Sequence, residues 1–213
     1  MQNLDDISER IRQSFDARTA ARDRALAQAR TLTRHCANAI RAVHRDELEL
    51  AESNLTEAKK LVESLRSGLV EYPDLYFAGY TQDALKEYAE ANIVHALVNN
   101  SLLPSPEELG LEYATYLQGL AEAAGELRRR CMDILRHGHS TEAERLLSHM
   151  DDIYAVLVTM DYPDAITGGL RRLTDIVRGV TERTRGDMTI SLRQQNLEES
   201  LQRLQKKLEG LQV

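Results

Sequence analysis

The chain has no tryptophan, two phenylalanines, two cysteines and four prolines among its 213 residues. With so few large aromatic side chains, any core must be built from Leu, Ala, Ile and Val. Two isolated cysteines, Cys36 and Cys131, cannot make a zinc site of the usual spacing and require no disulfide, which fits a reducing cytoplasm. No glycine or proline precedes Gly68, so nothing punctuates the first 67 positions. Period-two runs of β-branched residues are missing, which excludes a sheet. No apolar run approaches the length of a membrane span. The polar, acidic start MQNLDDISER reads as neither a signal nor a transit peptide. A cytoplasmic protein without a membrane segment is expected.

Lysine is also scarce. Of 27 basic residues only 5 are lysine, and the net charge is -7. That charge argues against indiscriminate polyanion binding but leaves room for a local basic face. Arginine's planar fork suits phosphate oxygens better than lysine does, although a coding bias toward arginine accounts for the ratio equally well.

What the chain does contain is helix. Leu, Ala, Glu, Arg and Gln dominate, all good helix formers. Apolar residues recur at helical spacing over residues 4–45, and Asp46 with Glu49 resembles a capping box opening a second helix over 47–67. A break with a single turn near Asp74 to Phe77 follows. Thr81 is expected to cap a third helix reaching Asn100. Ser105, Pro106 and Glu108 open a short helix ending at Gly110. A long helix over 112–137 comes next, then one capped by Ser140 or Thr141 that continues to Met160. Pro163 opens a further helix ending near Gly186. The tail reads as a separate amphipathic helix with a narrow stripe of Leu192, Leu197, Leu201, Leu204, Leu208 and Leu211, suited to a partner helix of its own or another subunit. The expected architecture is a single all-α domain over 1–213, with residues 188–213 as a packing or assembly element.

Two pairs of carboxylates stand out within the helices. Glu87 and Glu90 lie three residues apart, and Glu122 and Glu126 four apart, so each pair shares a face of its helix. If those faces meet, four carboxylates form the oxygen-rich environment that hard divalent cations require. Gly119, Ala121, Ala123, Ala124 and Gly125 surround the second pair, allowing a close helix approach or leaving room for a ligand. The plainer reading of each pair is a solvated face. A carboxylate di-iron centre would use Glu-x-x-His motifs, and no Glu here has a His three residues later. His137 and His139 flank a helix-ending glycine, where a cation suits the helix terminus. His95 follows the first carboxylate pair, with core packing as its ordinary role. Gly-rich phosphate loops, GxSxG, HExxH and a Cys/His nucleophile setting are all missing. Candidate phosphate contacts are Arg22 and Arg24 on the first helix, and Arg128 and Arg129 directly after Glu126. An ordinary salt-bridged helix face would look the same.

The segments RDRALAQARTLTRHCANAIRAVHR, ALKEYAEA, YLQGLAEAAGELRRRCMDILRHGH and GGLRRLTDIVRGVTERTRGDM resemble, in order, segments of the translin and translin-associated factor X (TRAX) family. The resemblance spans residues 18–187. It implies a bundle of about seven helices, here followed by the C-terminal amphipathic helix, assembled into hollow octameric shells. It further implies a TRAX-like endoribonuclease that cleaves single-stranded RNA inside the shell with Mg²⁺ or Mn²⁺. The catalytic, metal-holding acids carried over are Glu87 and Glu90 in EYAE, and Glu122 and Glu126. Glu122 departs from the family's Asp by one methylene, which keeps the charge and moves the oxygens. The short loops around Leu102 to Glu112 and the extra C-terminal helix resemble a compact prokaryotic or archaeal member. A non-catalytic single-stranded RNA- or DNA-binding protein, as translin itself is, is the alternative. A helical oligomer with no nucleic acid is a third.

Overall fold

The structure, a computed structural model, describes residues 3–138 and 141–209. Among these there is no strand, and the helices run in the order α1 (Leu4–His44), α2 (Leu48–Gly68), α3 (Pro73–Tyr76), α4 (Gly79–Val98), α5 (Pro106–Leu109), α6 (Tyr113–Leu135), α7 (Thr141–Leu157), α8 (Asp164–Thr167) and α9 (Leu170–Glu209). Three of them, α3, α5 and α8, are single turns. No helix among the described residues is long and apolar enough to cross a membrane. The chain forms two compact units, Met1–Gly119 and Leu120–Val213, and the division falls inside α6.

In the first unit α1, α2 and α4 pack on one another. The seam is rich in alanine, with Ala21, Ala25, Ala29, Ala39, Ala51, Ala58, Ala84, Ala89 and Ala91 buried beside Leu32, Leu65, Leu85 and Ile93. Small residues let helix backbones approach closely, so a core can be dense without large aromatics. In the second unit α7 and α9 pack together, burying Leu146, Met150, Ile153 and Leu157 with Leu170, Val177 and Met188.

Several boundaries differ from the sequence expectation. Asp46 adopts a left-handed backbone, φ +58°, which Asp tolerates better than most residues. That conformation removes it from the cap position, which needs an extended backbone; Glu47 precedes α2 instead, with no side-chain cap bond. Thr81 does not cap α4 either: its hydroxyl donates to the Leu75 carbonyl at 2.8 Å. The Ser105 box forms, with the Ser105 side chain accepting from the Glu108 amide and the Glu108 carboxylate from the Ser105 amide. The helix expected from Pro163 to Gly186 is interrupted by Gly168 and Gly169, both at positive φ, +61° and +85°, which only glycine adopts without strain. From Leu170 the helix then runs unbroken through Gly186 to Glu209, so the amphipathic tail is the far half of α9 rather than a separate helix. The expected cap at Ser140, His139 and the last stripe residue Leu211 lie outside the described residues.

Candidate metal centre and nucleic-acid interface

Helix α4 is enclosed on most of its circumference. Ala84, Leu85, Tyr88, Ala89, Ala91, Ile93, Val94, Ala96 and Leu97 are all buried, because α1, α2 and α3 pack around it. Glu90 sits among them with 8% of its surface exposed, and Glu87, one turn earlier, is half-buried. Carboxylates are rarely this enclosed without a partner or a metal. One carboxylate oxygen of each lies within 4.8 Å of the other, a separation one divalent ion can bridge. Tyr88 between them has its phenol pushed up to about 12, chiefly by burial.

Helix α1 supplies a neighbour that the sequence pattern did not single out. Burial pushes the Cys36 thiol far up, and the charges of Glu87 and Glu90 push it further. Cys131 on α6 is raised to about 12, again chiefly by burial, and its thiol donates to the Ala143 carbonyl at 3.6 Å. The thiolate is the reactive form. An aromatic disulfide reagent at pH 8 is therefore expected to leave both thiols unmodified in the native protein and to titrate both in denaturant. Rapid native labelling would contradict this burial.

The first turns of α6 lie directly on α4. The Thr115 hydroxyl donates to the Gln82 side-chain oxygen at 2.7 Å. Gly119 passes so close that a Cβ there would stand 2.6 Å from Ala89 Cβ, 2.8 Å from the Lys86 carbonyl oxygen and 2.9 Å from the Glu90 amide nitrogen. Only glycine fits against that stretch of backbone. Thr115 and Gly119 are four apart, and Glu122 and Glu126 continue the same helix face by steps of three and four. Both glutamates are half-buried. The carboxylate of Glu126 also pairs with Arg129 at 3.4 Å.

The candidate phosphate-binding arginines occupy different settings. Arg128 is held by α9, donating to Thr184 Oγ1 at 3.1 Å and to Asp187 Oδ2 at 2.8 Å. Arg129 is exposed apart from its contact with Glu126. Arg22 pairs with its neighbour Asp23 at 3.1 Å. Arg24 lines a groove of about 310 Å³ between α1 and α2, with Gln28, Ser64 and Ser67. Two residues of helix turn the chain by about 200°, so Arg22 and Arg24 present to different faces of α1. His95 is half-buried, with its Nε2 enclosed and without a hydrogen-bond partner among the described residues.

No family model matches the chain. It is 32% identical over 188 residues to the uncharacterized protein MJ0175 of Methanocaldococcus jannaschii, a match covering 87% of this chain and 83% of that protein. Among solved structures it resembles the crystal structure of AfC3PO, with 32% identity, a TM-score of 0.79, and coverage of 86% of this chain and 95% of that one. The AfC3PO–duplex RNA complex gives 33% identity and a TM-score of 0.80, with the same coverage of 86% and 95%. The crystal structure of apo-NeC3PO shares the fold at 21% identity and a TM-score of 0.77, covering 90% of this chain and 98% of that one. The nearly complete coverage and the identity to AfC3PO, together with the ordered helices described above, mean that this chain belongs to the translin/TRAX (C3PO) family.

Proposed function

We propose that this protein is a Mg²⁺- or Mn²⁺-dependent endoribonuclease that cleaves single-stranded RNA within a homo-oligomeric shell, an octamer by family analogy. The observation that carries this reading is the enclosed pair Glu87 and Glu90 on α4, at the stretch where Gly119 brings α6 against it. Glu122 and Glu126 extend that face of α6 and would complete the set. Four carboxylates form an all-oxygen donor set, which fits a hard divalent ion and suits softer metals poorly.

When bound, such an ion supplies Lewis-acid stabilisation of the phosphoryl oxygens and an acidified water. The remaining work falls to the chain. One carboxylate oxygen of the four accepts the proton of the attacking water. The enclosure of Glu90 limits competing solvent and strengthens local electrostatics. Arg129, exposed beside Glu126, would contact a phosphate in this reading, while Arg128 pairs with Asp187 and ties α6 to α9. AfC3PO has been solved with duplex RNA, which supports RNA as the ligand class and makes duplex RNA the natural comparison substrate.

The test incubates purified protein with labelled single-stranded and duplex RNA and Mn²⁺, with and without chelator, beside Glu126→Ala. Cleavage that needs the metal and disappears in the variant is expected. Cleavage that persists in chelator, or equally in the variant, overturns the metal-site assignment. Retention of RNA without cleavage identifies a non-catalytic binding protein. A light-scattering mass near that of one chain defeats the shell.

A further inference from the structure

Two contacts seat the start of α6 on α4, with different consequences. Gly119 lies against the Lys86 carbonyl and the Glu90 amide with no room for a Cβ. A contact without a side chain sets how close the two helices stand but leaves α6 free to turn about its own axis. One turn earlier, the Thr115 hydroxyl donates to Gln82 Oε1 at 2.7 Å, and Thr115 is 4% exposed. The Gln82 amide has one orientation, because its Nε2 donates to the Tyr76 carbonyl at 2.9 Å and Oε1 is left as the acceptor. Tyr76 closes α3, and the carbonyl before it, Leu75, is taken by Thr81. On its other flank α6 is held by Tyr116, whose phenol donates to the Pro104 carbonyl at 3.0 Å. The first turn of α6 therefore has a fixed rotation as well as a fixed distance.

We propose that Thr115 and Gln82 are positioning residues for the metal-holding carboxylates, an inference that rests on the metal-site reading above. At about 100° per residue, Thr115, Gly119, Glu122 and Glu126 fall within about 60° of one another around α6. The helix is continuous from Tyr113 to Leu135. The rotation fixed at Thr115 is therefore carried to Glu122, about 10 Å further along the axis. With a side-chain tip about 5–6 Å from that axis, a turn of about 10° moves a carboxylate by about 1 Å. Mg²⁺ demands near-ideal octahedral geometry, and a displacement of about 1 Å can cost about 100-fold in rate. Removing the Thr115 hydroxyl leaves Gln82 Oε1 without this donor and frees α6 to turn on the bare Gly119 contact. Neither residue needs to touch the ion for the set of oxygens to depend on both.

The test is calorimetric titration of the metal-free, full-length protein with MnCl₂, without RNA. Thr115→Val keeps the shape of the side chain and removes the donor. It should weaken Mn²⁺ binding about 10-fold, the scale of an indirect partner of a metal site, and lower cleavage with it. Thr115→Ser keeps the hydroxyl and should restore binding to near the wild-type value. Gln82→Met breaks the same bond from the half-buried α4 side and should weaken Mn²⁺ equally. The double variant should then be no worse than either single one. Thr81→Val is the control. It loses a buried hydroxyl-to-carbonyl bond of similar length one residue away, but that bond fastens α3, so Tm should fall while Mn²⁺ affinity holds. The proposal is overturned if Thr115→Val and Gln82→Met, folded by circular dichroism, bind Mn²⁺ as wild type does. It is equally overturned if Thr81→Val weakens binding as much as they do. A wild-type protein that binds no Mn²⁺ removes the metal-site reading and this one together; one that binds it with unaffected variants removes the positioning alone.

Discussion

Glu90→Gln is expected to lower Mn²⁺-dependent RNA cleavage by roughly 100-fold or more, since losing even an outer-shell partner of a metal costs about 10–100-fold. The fold should not suffer. Gln is nearly isosteric, and removing one of two like charges three residues apart relieves roughly 0.2–0.5 kcal/mol of repulsion. The metal-free variant should melt at the wild-type temperature or slightly above it. The effect on binding has the opposite sign. An ion at about 100 times its Kd stabilises the native state by about 2.7 kcal/mol. For a chain of this size that raises Tm by roughly 5–10 °C. Wild-type protein should show this Mn²⁺-induced rise and Glu90→Gln should lose most of it. If the rise and the cleavage rate both survive within a factor of about three, Glu90 is a buried structural acid and the metal site lies elsewhere.

The second large effect is expected at Gly119. On propensity alone Gly→Ala inside a helix stabilises by up to about 1 kcal/mol. Here the added methyl would meet the Lys86 carbonyl, the Glu90 amide and Ala89 Cβ, all closer than 3.0 Å. Two of those are backbone atoms on a packed helix and cannot swing aside. Overpacking of this kind costs about 1–3 kcal/mol, so Gly119→Ala should destabilise by about 1–2 kcal/mol, net of propensity. Gly125 on the same helix is the control, because nothing lies within 4 Å of a Cβ there. Gly125→Ala should follow propensity and stabilise. Chemical denaturation of the two variants side by side decides the matter: equal stabilisation of both would mean that α6 does not lie tightly on α4. If Glu122 and Glu126 complete the metal site, Gly119→Ala also weakens the Mn²⁺-induced rise in Tm, because it displaces the helix that carries them.

The helices were legible in the sequence because their apolar spacing is regular and their breaks are few. The Ser105–Pro106–Glu108 start was readable to the residue, since a capping box and a helix-opening proline act locally. Asp46 departs from the cap its spacing to Glu49 suggests because its left-handed backbone serves the α1–α2 turn, a demand set by how the two helices pack rather than by local propensity. Gly168–Gly169 carried a break signal that the surrounding apolar period outweighed. Gly186 carried a false one: an exposed glycine inside a long helix costs only about 1 kcal/mol. For the site, the spacing of Glu87 and Glu90 was visible, but the enclosure of Glu90 was not, because burial depends on which helices surround α4. Cys36 was invisible as a neighbour of those acids for the same reason. In the sequence Gly119 is one small residue among several; its contact with the α4 backbone is what distinguishes it from Gly125.

The outer end of α1 has a consequence of another kind. Its first buried residue is Ala21; the turns from Leu4 to Ala20 bury no side chain, Leu4, Ile11 and Phe15 face solvent, and near their base the exposed Arg18 pairs with Asp74. The costly step of helix formation, nucleation, is already met by the anchored half. Each further residue toward Leu4 then propagates with almost no net free energy, and the helix frays by degrees. Local stability along α1 is therefore a gradient within a single element, reaching the global value only beyond Ala21. A molecule that settled on the Leu4–Phe15 stripe would find it mostly formed, and would have to supply only the small remainder of ordering entropy.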